Sequence, residues 1–113
     1  MSYDFKFICD CHCHSKWSFD GCEETDDMCR QAARLGIDVI TITDHCEVNG
    51  WSNPQDSEFG NFQALIPQSV IHMKESQKKF ANQVKLLRGI ELGQAMQDLD
   101  AADKALALDD FDF

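Results

Sequence analysis

Positive charge is scarce in this chain. Ten Lys and Arg stand against twenty Asp and Glu in 113 residues, leaving a net charge of -10 and a pI of about 4.5. Such a surface repels phosphate backbones and anionic lipid, which argues against a nucleic-acid partner and against membrane binding driven by basic residues. An anionic substrate would need a local cation to bridge it. Long apolar runs are missing as well. Nothing approaches the roughly 20 residues of a membrane span, and Met1 to Asp10 lacks the basic-then-apolar layout of a secretory leader, so a cytoplasmic protein is expected. There is no internal repeat and no low-complexity tract. With 43% hydrophobic and 27% charged residues, the composition is that of one globular domain.

Cysteine, by contrast, is plentiful. Cys9, Cys11, Cys13, Cys22, Cys29 and Cys46 all lie in the first half. In a secreted chain such density would imply a disulfide framework. With nothing directing the chain outside, reduced thiols are expected.

Hydrophobic periodicity reads as strand and helix in alternation. Phe5 to His12 has strand length, and a period of two puts Cys9, Cys11 and Cys13 on one face with Asp10, His12 and His14 on the other. After the Asp20-Gly21 turn, Thr25 can cap a helix with Asp26 and Asp27 in its first turn, an apolar stripe of Met28, Cys29, Ala32, Ala33 and Leu35, and Gly36 at its end. Ile37 to Thr43 is a β-branched strand suited to a buried parallel sheet. Residues 46–61, with Gly50, Asn53-Pro54 and Gly60, read as loop. A helix is expected from Pro67 to Ala81, with Val70, Met73, Gln77 and Phe80 on one face. A strand follows from Val84 to Leu92, then a helix from Gln94 to Leu108 that buries Ala95, Leu99, Ala102 and Leu106. Phe111 to Phe113 resembles the opening of a fourth strand. The βαβαβα order implies right-handed crossovers and an α/β architecture, either an open doubly wound sheet or part of a (β/α) barrel.

Groups with ligand chemistry recur at one place in each unit. His12 and His14 end the first strand, Asp44 and His45 the second, and Glu91 the third. In parallel α/β folds the C-terminal strand ends face one crevice, so these groups are expected to converge. Taken singly, each is equally well explained as a polar residue at a strand edge or turn. Together they describe a metal site. Imidazole mixed with carboxylate suits Zn, Mn or Fe better than Mg or Ca, which favour oxygen alone.

A rival soft site built on Cys9, Cys11 and Cys13 fits poorly, because structural zinc sites draw thiolates together across a tight turn whereas an extended strand sends them away from the histidines. Small reduced side chains packed under the helix layer are the simpler expectation. His72, within the second helix, reads as solvent-facing or half-buried. The acidic clusters at 23–27 and 98–103 read as solvated faces and helix N-terminal charge.

Four segments, taken together, resemble the PHP (polymerase and histidinol phosphatase) superfamily: Asp10-Cys11-His12-Cys13-His14-Ser15, Ser18-Phe19-Asp20-Gly21, Ile42-Thr43-Asp44-His45 and Gly89-Ile90-Glu91-Leu92-Gly93. The resemblance implies a distorted (β/α)7 TIM-like barrel carrying two or three divalent ions, Zn, Mn or Fe, that activate water against phosphorus and neutralise the phosphoryl oxygens. By the same resemblance His12, His14 and Glu91 would hold one metal and Asp20 and His45 a second, with Glu91 bridging towards a third. Asp10 and Asp44 would stand behind them and orient the imidazoles. The interval between His45 and Glu91, its helix ending in Lys78-Lys79-Phe80, is most similar to the histidinol-phosphatase branch.

The resemblance also has a boundary. The family's later histidine ligands have no counterpart after His72, and three βα units cannot close a barrel of about 250 residues. Residues 1–113 are therefore expected to be the N-terminal part of a single PHP domain, incomplete as it stands. The function implied is hydrolysis of a small phosphorylated metabolite, L-histidinol phosphate, in histidine biosynthesis. The alternatives are a PHP phosphoesterase acting on nucleotides or nucleic-acid ends, and a non-catalytic metal-binding fragment. Oligomeric state is left open by the sequence.

Overall fold

The computed structural model describes residues 6–52 and 60–113. The elements are β1 (Cys9–Cys13), α1 (Thr25–Leu35), β2 (Val39–Ile42), β3 (His45–Glu47), α2 (Val48–Ser52), α3 (Phe62–Lys79), β4 (Lys85–Arg88), β5 (Glu91–Gly93) and α4 (Leu99–Leu106). All strand pairs are parallel: β1-β2-β4 form one sheet and β3-β5 a second. The α/β class read from the sequence holds. Among the described residues, no helix is long and apolar enough to cross a membrane.

The strand expected from Val84 to Leu92 is split into β4 and, beyond Gly89-Ile90, β5, whereas the run Ile37 to Thr43 yields β2 alone and is followed, beyond Thr43-Asp44, by β3. Backbone bonds continue across the break, from Gly89 N to the Ile42 carbonyl at 2.9 Å and from Glu91 N to the Asp44 carbonyl at 3.0 Å. The two strands therefore bend together.

The loop expected over 46–61 is in part structure: Cys46 and Glu47 belong to β3, and Val48–Ser52 form α2. Gly50 and its polar neighbours suggest loop locally, but Cys46, Val48 and Trp51 are buried, and core burial overrides propensity. Residues 53–59 of that span lie outside the described residues.

Helix α1 runs as expected and ends on Gly36, whose φ of +76° is a left-handed cap that a side chain would disfavour. Its stripe buries Cys29 and Ala32 but leaves Leu35 exposed. Helix α3 starts five residues earlier than expected. The Asn61 side chain accepts from Ala64 N at 3.3 Å, Phe62 and Ile66 are buried, and Pro67 lies inside the helix, where it removes the bond to the Gln63 carbonyl. Its expected face of Val70, Met73 and Phe80 is in the core.

The last helix is shorter than expected. A 3₁₀ turn (Ala95–Gln97) precedes it, Gln94 sits at φ +59°, and Asp98 caps α4 by accepting from Ala101 N at 3.0 Å. That interruption breaks the phase of the stripe, so Ala101, Ala102 and Ala105 are buried while Leu99 and Leu106 are exposed. Residues 111–113 form no strand, yet Asp112 N donates to the Arg88 carbonyl at 2.7 Å and Ile90 N to the Phe113 carbonyl at 3.1 Å, which lays them along the edge of β4.

One ion-pair cluster fastens this edge. Arg88 Nε donates to Asp109 at 2.6 Å, Lys74 Nζ lies 3.0 Å from the same carboxylate, and Arg88 also reaches Gln77 Oε1 at 2.6 Å. Burial pushes the Asp109 carboxyl up, but the hydrogen bonds from Arg88 and Lys74 outweigh it and leave the group below its usual range. A carboxyl depressed in the folded state stabilises above its unfolded pKa, and that stability is lost as pH falls through the folded value. Asp109→Asn is therefore expected to cost about 2 kcal/mol at pH 7, in urea unfolding, and progressively less below pH 4.

The cysteine ladder does not lie on one face. Along β1, Asp10 pairs with Ile40 and Cys13 with Ile42, so one strand spends three steps where the other spends two. Such a bulge reverses the faces beyond it. Cys13 consequently packs against the core and its thiol donates to the Thr41 carbonyl at 3.1 Å, whereas Cys9 and Cys11 are exposed rather than packed under helices. All six thiols are free, as expected. Burial pushes Cys13 and Cys46 up to about 12 and Cys29 to about 11, which keeps these three protonated and unreactive.

Candidate metal centre

The site is assembled by strand register and one tight loop. Pairing of β3 with β5 sets His45 directly beside Glu91. The end of β1 brings His12 and His14 to the same place: His14 Nε2 lies 2.9 Å from Glu91 Oε2, His12 Nε2 3.5 Å from it, and His45 Nδ1 3.1 Å from it.

Asp20 arrives by a loop that folds back on its own start. Ser18 N donates to the Ser15 carbonyl at 3.0 Å, Gly21 N to the Ser18 carbonyl at 3.1 Å, and Lys16 N to the Glu23 carbonyl at 2.9 Å. A side chain at Gly21 would collide with the Ser15 carbonyl, so the turn requires glycine there. Asp20 Oδ1 is then 2.9 Å from His14 Nδ1, and its Oδ2 is 3.2 Å from His45 Nε2.

Two groups result whose ligand atoms all lie within 4.8 Å of one another: His12, His14 and Glu91, and His14, Asp20 and His45. His14 belongs to both. In the tautomer that carries its proton on Nδ1, His14 donates to Asp20 and turns the Nε2 lone pair towards His12 and Glu91, the usual arrangement of a histidine prepared to ligate. Burial pushes the Asp20 carboxyl up, but the hydrogen bonds to His14 and His45 dominate and hold it below the ordinary carboxylate range.

The donors satisfy one another only in part. His12 Nε2 and His14 Nε2 face each other at 3.0 Å, and the buried atoms His45 Nδ1 and Glu91 Oε2, though only 3.1 Å apart, make no aligned hydrogen bond. Two unpartnered buried donor atoms this close together fit a shared divalent cation.

The two supporting aspartates act on backbone and serines rather than on imidazoles. Asp10 Oδ1 accepts from His12 N at 3.2 Å. Asp44, only 1% exposed, accepts from Ser15 N and Ser15 Oγ at 2.6 Å each, from Ser18 Oγ at 3.1 Å and from Ser69 Oγ at 2.6 Å. Ser18 Oγ in turn accepts from His45 N at 2.8 Å. Asp44 thus ties the Asp20 loop, the start of β3 and helix α3 into one unit.

Sequence reasoning missed Glu47, whose Oε1 is 3.5 Å from His45 Nδ1. Its signal was the alternation His45-Cys46-Glu47, which puts both polar groups on one face of a strand. Ser15, Ser18 and Ser69 were missed as well, and only their meeting at Asp44 marks them. His72 lies tilted against Trp17, ring centroids 5.1 Å apart, and is in neither donor group.

The PHP domain family model matches residues 10–112. The chain belongs to the PHP domain family. Within it, 38 residues are 50% identical to a Thermotoga maritima protein described as "Probable histidinol-phosphatase", covering 34% of this chain and 16% of that one. The fold is similar, with a TM-score of 0.75 over 94% of this chain, to histidinol phosphate phosphatase from Lactococcus lactis subsp. lactis, solved with zinc, L-histidinol and phosphate. Identity to that protein is 22%, and this PHP chain spans 38% of its length.

Proposed function

We propose that this PHP chain contributes the first metal-binding wall of a histidinol-phosphatase-like phosphomonoesterase. The observation that carries the reading is the convergence of His12, His14 and Glu91, and of His14, Asp20 and His45, in two groups that share His14, with the buried atoms His45 Nδ1 and Glu91 Oε2 left without hydrogen-bond partners. The family match over residues 10–112 supports the reaction class, and the likeness to two histidinol phosphatases supports the substrate. His12, His14 and Glu91 would hold one divalent ion and His45 and Asp20 a second, with zinc, manganese or iron suited to the donors and Glu91 bridging towards a third. Bound ions would supply charge for the phosphoryl oxygens and lower the pKa of water.

The chain's own residues prepare that site. Asp20 holds the Nδ1 proton of His14, Asp44 and its serines keep His45 in register, and Glu47 stands behind the His45 ring. In so acidic a protein, cations at this crevice reconcile the surface charge with an anionic ester. We place residues 1–113 as the N-terminal part of one PHP domain with a (β/α)7 barrel. The parallel order β1-β2-β4, with exposed Phe7 and Ile8 beside β1 and exposed Phe113 beside β4, supports further strands on both edges. A cytoplasmic setting suits its free thiols.

The test is phosphate release from L-histidinol phosphate and from nucleoside monophosphates by the zinc- or manganese-loaded protein. Preference for histidinol phosphate is expected, and equal or better turnover of nucleotides would move the assignment to a nucleotide phosphoesterase. Because the chain spans 38% of its solved relative, stoichiometric metal uptake without phosphate release would assign it instead to metal binding alone.

A further inference from the structure

The exposed pair Cys9 and Cys11 has no part in the centre just described. Their sulfurs lie 3.4 Å apart on β1. Residues two apart on a regular strand span about 6.6 Å, near the long end of the roughly 4.4–6.8 Å between Cα atoms that a disulfide accepts, and their side chains normally stand parallel rather than touching. Here the two thiols already turn towards each other, and the irregularity of β1 between Asp10 and Cys13 supplies slack in the backbone. The four other cysteines offer no such pair. Cys13, Cys29 and Cys46 are at least partly buried with raised pKa values, and Cys22 has its recorded contact with Glu23 at 3.8 Å.

We infer that Cys9 and Cys11 form a dithiol modification site that closes to an intrachain disulfide by exchange with small-molecule disulfides. One thiolate attacks the oxidant RSSR, forming a mixed disulfide and releasing one RSH. The second thiol loses its proton, attacks the protein sulfur of that mixed disulfide and expels the second RSH. Two cysteine thiols are oxidised, RSSR is reduced to two RSH, and the sulfurs need approach by only about 1.4 Å, from 3.4 Å to a bond of about 2.0 Å.

The test is incubation of the folded protein with oxidised glutathione, alkylation of the remaining thiols, and mass spectrometry of the peptide that contains residues 7–16. The expected product is a peptide lighter by two hydrogens with a Cys9 to Cys11 bond and no glutathione. Cys22 should instead retain a glutathione adduct, as an exposed thiol with no second thiol beside it. Cys9→Ser should convert the product to a lasting glutathione adduct on Cys11, and both residues are exposed, so the substitution does not threaten folding. Alkylation of both Cys9 and Cys11, a lasting adduct on either one in the unmutated protein, or a bond from either to Cys13 or Cys22 would overturn the inference.

Discussion

Replacing His14 with alanine is expected to remove zinc binding from both donor groups at once, lowering affinity by about 100-fold or more in equilibrium dialysis. The size follows from its position. His14 Nε2 faces Glu91 at 2.9 Å and His12 at 3.0 Å, while its Nδ1 proton orients Asp20 at 2.9 Å, so the ring ligates in one cluster and holds a ligand of the other in place. His12 belongs to one group only, and its side chain is 52% exposed. His12→Ala should therefore lower the stoichiometry and leave the Asp20 and His45 side able to take up metal. His72→Ala is the control, because His72 lies against Trp17 and should leave zinc binding unchanged. Equal zinc uptake by the His14 variant and the unmutated protein would refute the ligand assignment.

Asp44→Ala should cost the most stability of any single change at the site, about 3–5 kcal/mol in urea unfolding. Asp44 accepts four hydrogen bonds with 1% exposure, and alanine would strand one backbone N–H and three serine hydroxyls in a space that water does not reach. Domains of this size are stable by only about 5–15 kcal/mol, so a large share of the folded population is at risk. Asp44→Asn should be milder, because its amide oxygen can still accept from Ser15 N while the hydroxyls of Ser15 and Ser69 turn round to accept from its NH2 group. The serines report separately: Ser69→Ala should loosen α3 without disturbing the Asp20 loop, and Ser18→Ala should release His45 N as well as Asp44. If Asp44→Ala unfolds at the same urea concentration as the unmutated protein, the network is not what holds the loop and helix together.

The candidate donors were legible because they lie where period and topology agree. His12 and His14 follow a strand pattern, and His45 and Glu91 stand at equivalent positions of two parallel strands, so a crossover fold brings them side by side without any contact being known in advance. Asp20 was legible only through family resemblance. Its place depends on a self-closing loop whose glycine packs against backbone, and Asp-Gly alone says no more than turn.

Other features were invisible for a common reason, that they depend on neighbours far along the chain. Glu47 sits in a span that reads as loop until β5 pairs with it, and Ser69 is an ordinary polar residue of α3 until that helix docks on Asp44. The cysteine ladder misled because strict alternation assumes a regular strand, whereas one extra residue in β1 sends Cys13 inward and leaves Cys9 and Cys11 outside. The stripe of α4 slipped in the same way, when Gln94 and Asp98 reset the start of the helix.

By itself, then, the sequence determined an acidic α/β chain with imidazoles and carboxylates at the ends of its strands, because side-chain period and strand order are local properties. Only the tertiary structure decided which of those groups share a point, that His14 belongs to both clusters, and that Asp44 braces the loop instead of an imidazole. Those outcomes depend on register, a bulge and the docking of α3, and each is settled by burial and hydrogen bonding between residues tens of positions apart.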